Sequence, residues 1–75
     1  MKLTAFLNSF EKELDLKKGT FTLKKKLNQI PEWDSLAVMT FISFSSKKLK
    51  IDVNPNDLNK CNSVIDLGKI LNLKN

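Results

Sequence analysis

Apolar residues recur at spacings of three and four along the first stretch of the chain, at Leu3, Phe6, Leu7, Phe10 and Leu14, with Glu11, Lys12, Glu13 and Asp15 among them. That period is one face of an amphipathic α-helix. Thr4 is the candidate N-cap. Lys17-Lys18-Gly19 supplies cations at the negative helix end followed by a glycine stop, so the helix is expected to end near Lys18. Residues 19 to 33 follow no single period. Phe21 and Leu23 could alternate as a short strand, and Leu23, Leu27 and Ile30 could form one side of a helical turn. Ile30 precedes Pro31 and is biased towards extended backbone, so a connecting loop describes the end of this segment. A loop this long points to function at its end.

Asp34 offers a side-chain oxygen to cap a second helix running from Ser35 to about Lys48. Leu36, Ala37, Val38, Met39, Phe41, Ile42, Phe44 and Leu49 give it a wide apolar surface, which predicts the most buried element of the fold. Adjacent apolar residues at 36–37, 38–39 and 41–42 break the alternation that a half-buried strand requires. Asn54-Pro55 places a capping residue before a proline at a first helical position, so residues 55 to 60 should form a short helical turn. Ser63 and Asp66 have the spacing of a capping box, and Val64, Leu67, Ile70 and Leu71 supply the stripe of a last helix. The plan is all-α, one domain over residues 1 to 75: an irregular four-helix bundle of three main helices and a short third one.

Composition narrows the chemistry. No run reaches the roughly 18 to 20 apolar residues of a membrane span, and no apolar signal core precedes a small-residue cleavage site, which predicts a cytoplasmic protein without a membrane partner. Cys61 stands alone and there is no His, so neither an internal disulfide nor a zinc site is expected. The 13 basic residues outnumber 8 acids, for a net charge of +5. All of the bases are Lys, however, and without a guanidinium fork the surplus reads better as a solvated surface than as a nucleic-acid interface. Without His, no serine has an imidazole base, so catalysis is not expected.

Asp34-Ser35-Leu36, after a long loop and at the start of a helix, resembles the prosthetic-group site of acyl carrier proteins. The order of features extends the likeness over roughly residues 3 to 73: the loop, Pro31-Glu32-Trp33, the helix to Lys48, Ile51-Asp52-Val53, a short turn and Val64-Ile65-Asp66-Leu67. The resemblance implies a 4'-phosphopantetheine arm taken from coenzyme A and attached to Ser35, making the chain a phosphoprotein. Asp34 and Leu36 would be the flanking residues of the recognised motif. It further implies a phosphopantetheinyl transferase and acyl-loading and acyl-transfer enzymes as partners, cargo held as a thioester, and a monomer that catalyses nothing itself. A phosphodiester on Ser35 would lie at a helix N-terminus, where free N–H groups and the helix dipole favour negative charge.

Departures from the family qualify the partners. Family members are typically acidic along the helix after the serine, whereas the only charges between Ser35 and Ile51 are Lys47, Lys48 and Lys50. Docking to the basic surfaces of general fatty-acid enzymes should therefore be poor, and dedicated partners are expected. Trp33 replaces the usual small residue before the motif and is similar to specialised stand-alone carriers of secondary-metabolite or surface-sugar pathways. It could equally cover the core, donating its indole N–H to a carbonyl. Phe41, Phe44, Leu49 and Ile65 could line an acyl cleft, though plain core packing is the preferred reading. A small basic module binding nucleic acid or protein without modification remains the alternative; it predicts indifference to Ser35→Ala.

Overall fold

A computed structural model describes residues 1 to 75 as four helices: α1 (Leu3–Glu13), α2 (Ser35–Leu49), α3 (Pro55–Asn59) and α4 (Val64–Leu71). There is no strand, only an isolated antiparallel bridge between Lys26, in the long loop after α1, and Ser63, at the start of α4. The fold is therefore the expected all-α bundle with a short third helix. None of its helices is long and apolar enough to cross a membrane.

Aromatic side chains supply the centre of the core. Phe6, Phe10, Phe21, Trp33, Phe41 and Phe44 form one connected set, with ring centroids 5.4 to 6.3 Å apart and several pairs edge to face. Edge-to-face pairing places the positive rim of one ring against the negative face of another. Leu3, Leu7, Leu27, Ile30, Val53, Leu58, Val64, Leu67 and Leu71 complete a single cluster, so every helix and the long loop share one core. α1 buries the most residues of any helix: Leu3, Phe6, Leu7, Phe10 and Glu11. α2, expected to be the most buried, leaves Leu36 and Met39 in water at 68% and 67% exposure. They lie on the side of α2 opposite Phe41 and Phe44.

The end of α1 departs from expectation. It closes at Glu13 rather than near Lys18, because Asp15 turns to φ 58° and the amides of Asp15 and Leu16 donate back to Lys12 O and Glu11 O. This is a Schellman closure, with an aspartate in the left-handed position usually given to glycine. Gly19, also at positive φ, serves the loop and not the helix end. Thr4 is not the N-cap. That position is Lys2, and the Thr4 amide and hydroxyl both donate to Asn75 Oδ1 at 2.9 Å.

Glu11, one of the charges set among the apolar positions of α1, is buried, at 1% exposure. Its Oε2 accepts from the amides of Phe21 at 2.8 Å and Gly19 at 3.1 Å. The carboxylate thus pins the start of the long loop to α1. Further along, the loop forms a 3₁₀ turn at Leu27–Gln29 and then extends at Ile30, as the following proline demands.

The remaining caps follow the sequence. Asn54 Oδ1 accepts from Asn56 N at the start of α3, and Pro55 takes the first helical position. Asp66 Oδ2 accepts from the amides of Ser63 and Asn62 at the start of α4. Gly68 sits where a Cβ would come within 2.3 Å of Leu3 Cδ2, so its missing side chain lets α4 close against α1.

Candidate functional site

The long loop returns to the core at Ile30 and Trp33, and these two residues aim the start of α2. Trp33 is half-buried, its ring 5.7 Å from Phe41, 5.9 Å from Phe21 and 6.3 Å from Phe10. It is a lid on the aromatic cluster. The indole N–H donates to no carbonyl, and the only buried side-chain atoms without a partner are Glu11 Oε1 and Ser45 Oγ, so its polar edge faces solvent.

Asp34 follows as N-cap. Its Oδ1 accepts from Ala37 N at 2.9 Å and its carbonyl accepts from Val38 N, which closes the first turn. Capping consumes the third and fourth amides of the helix and leaves those of Ser35 and Leu36 without an acceptor in the chain. Ser35 occupies the first helical position, exposed, and its hydroxyl makes no hydrogen bond to protein. Leu36 stands beside it in solvent. The three residues singled out in the sequence are therefore adjacent on one exposed helix start, each in a different role: cap, free hydroxyl, exposed apolar side chain.

A shallow recess of about 160 Å³ adjoins this point, lined by Leu14, Leu16, Glu32, Asp34, Leu36 and Ala37. Leu14 and Leu16 come from the Schellman closure of α1, so the early end of that helix builds one wall of the recess. Sequence periodicity marked Leu14 as apolar but not the turn that brings Leu16 beside it, because that turn follows from a left-handed residue at a position where glycine is the usual marker. Glu32 and Asp34 are the exposed charges next to Ser35, and the next charge along α2 is Lys47.

Other candidates fall away from this site. Phe41 and Phe44 are core, in keeping with the preferred reading, while Leu49 is half-buried and Ile65 is 46% exposed on the far helix. Ile65 lines a separate recess with Leu3, Leu23 and Leu73. Cys61 is half-buried, its thiol donating to Asp57 O at 3.5 Å. Burial pushes that thiol's pKa up, with Asp66 and Asp57 adding to the effect, which disfavours the reactive thiolate. No three Cys, Asp or Glu side chains converge as metal ligands would. No protein-family model, curated protein or solved structure matches the chain.

Proposed function

We propose that the chain is an acyl carrier that holds its cargo on a 4'-phosphopantetheine arm attached to Ser35, within a specialised biosynthetic pathway. One observation carries the proposal: Ser35 presents a free, exposed hydroxyl at the first position of α2, beside two amides with no acceptor. A phosphodiester formed there gains hydrogen-bond donors and the positive end of the helix dipole, at a surface that a modifying enzyme can reach. The Ser35 and Leu36 amides would hold the phosphate. The recess formed by Leu14, Leu16, Leu36 and Ala37 would receive the apolar dimethyl segment that follows it. When attached, the arm supplies a terminal thiol on which an acyl group is carried as a thioester. Ser35 is a point of attachment: with no His in the chain and no side chain hydrogen-bonded to its hydroxyl, it lacks the base that a nucleophilic serine needs.

The test is intact-protein mass after incubation with coenzyme A and a broad-specificity phosphopantetheinyl transferase. One phosphopantetheine added to the parent chain and none to Ser35→Ala is the expected result. No addition with several transferases would overturn the proposal and favour an unmodified interaction module.

A further inference from the structure

At the end of α1 far from Ser35, the two chain ends, α4 and the long loop enclose a recess of about 300 Å³. Leu3, nearly buried, lies at its base, and Leu23, Ile65 and Leu73 are its apolar walls. Hydrogen bonds hold these walls in place. Asn72 turns to φ 57° and the Leu73 amide donates to Gly68 O at 2.9 Å, which folds Leu73 back along α4. Val64 N donates to Lys25 O at 3.0 Å and ties the loop near Leu23 to the start of α4. Leu3 N donates to Lys74 O at 3.1 Å, and the Thr4 amide and hydroxyl donate to Asn75 Oδ1, so the chain ends are joined across the rim. The recess is therefore formed before any ligand arrives. Its lining is almost wholly carbon, although Lys69 and Lys74 contribute to it. Lysine side chains lay their methylenes along an apolar wall and keep the ammonium in water. No Asp or Glu lines the recess. Lys69 meets Asp66 at 3.7 Å, but its side chain is 75% exposed, and an ion pair so open to water gives way readily. Ile65 stands partly in water at the mouth. An apolar hollow with two cations on its edge suits an aliphatic chain that ends in an anion.

We propose that this recess binds a free, single-chain fatty carboxylate, its chain against Leu3, Leu23, Ile65 and Leu73 and its head group between Lys69 and Lys74. A group the size of a water molecule takes about 30 Å³, so the recess has room for a chain of about ten carbons. The site stands apart from the carrier reading. No residue of α2 lines it, and at about 1.5 Å per residue it lies about 16 Å along α1 from the hollow at Leu14 beside Ser35. An acyl thioester has given up its carboxylate, so the two cations favour a free acid over cargo held on an arm. A bilayer presents its head groups in a plane and does not reach Leu3, and a nucleic acid has nothing to set against the apolar walls.

The experiment titrates the isotope-labelled full chain and its Ser35→Ala variant with hexanoate, octanoate, decanoate and dodecanoate at neutral pH, below their micellar concentrations, and with decyltrimethylammonium, while following amide resonances. Decanoate should shift Leu3, Leu23, Ile65, Lys69 and Leu73 equally in both chains. Affinity should rise roughly two- to fourfold per methylene and level off near about ten carbons, where the recess is full. Decyltrimethylammonium should bind more weakly by at least roughly fivefold, and Lys69→Glu combined with Lys74→Glu should weaken decanoate to a similar extent with helical circular dichroism unchanged. Ile65→Ser, at a partly exposed position that the fold tolerates, should weaken decanoate more than hexanoate. No shifts, shifts centred on Trp33 or α2, equal binding of the cationic amphiphile, affinity that climbs with chain length without levelling, loss of binding in Ser35→Ala, or preferential binding to phosphatidylglycerol vesicles would each overturn the site. None of these outcomes bears on the mass test at Ser35, so the two proposals stand or fall separately.

Discussion

Asp34 and Ser35 are neighbours with opposite structural weight. The Asp34 carboxylate closes the first turn of α2 through Ala37 N, whereas the Ser35 hydroxyl engages no protein atom. Asp34→Ala is therefore expected to cost about 1 kcal/mol of stability, and Ser35→Ala to fall within about 0.5 kcal/mol of the parent chain, both measured by urea unfolding. Such an outcome would make Ser35→Ala a clean control, since any loss of modification in that variant would come from the missing hydroxyl and not from a damaged fold. These two residues were legible in the sequence, because N-capping is local chemistry written in the residue itself. Glu11 was not. Periodicity assigns it to the boundary of the apolar face, and only the path of the loop over α1 turns it into an acceptor for Gly19 and Phe21.

Each main helix ends at a left-handed residue, after which the next amide reaches five residues back in α1 and α4 and six, at 3.4 Å, in α2. Asp15, Lys50 and Asn72 all sit near φ 57°, and the amide that follows each donates back to Glu11, Ser45 and Gly68 respectively. None of the three is glycine, and the end of α1, expected at the glycine-marked Lys18, was placed five residues late, whereas the end of α2, expected at about Lys48, falls at Leu49. At the start of α4 the element depends on an ionised carboxylate. Hydrogen bonds from the Asn62 and Ser63 amides hold Asp66 below the usual aspartate pKa, with Lys69 3.7 Å away as a smaller contributor. A lowered folded-state pKa stabilises the fold fully above the ordinary aspartate value, and the stabilisation is lost as pH falls through the lowered one. Acid titration followed by circular dichroism should accordingly show less loss of stability in Asp66→Asn than in the parent chain. Equal loss in both would assign the acid sensitivity to other carboxylates.

For the molecule as a whole, the loop between α1 and α2 is part of the core rather than a tether. Phe21, Leu27 and Ile30 are buried with the helices, and Glu11 binds the loop's first amides. Glu11→Ala removes the one oxygen that accepts from both amides and should cost about 2 to 3 kcal/mol, while Glu11→Gln, whose amide oxygen can still accept, should cost clearly less; thermal unfolding of the two variants gives the comparison. The all-α plan and the start of α2 at Ser35 behind its Asp34 cap were readable from periodicity and caps. The depth of α1 and the bareness of α2 were not, because both depend on which faces meet, and that is decided by where the loop crosses. The loop's last anchoring residue is the chain's single tryptophan, packed among three phenylalanines and followed directly by Asp34 and Ser35. Its half-buried ring lies between the aromatic core and solvent at the helix start. Its fluorescence would report the melting of the core directly, so the chain carries its own optical probe two residues from the place where its chemistry is proposed to occur.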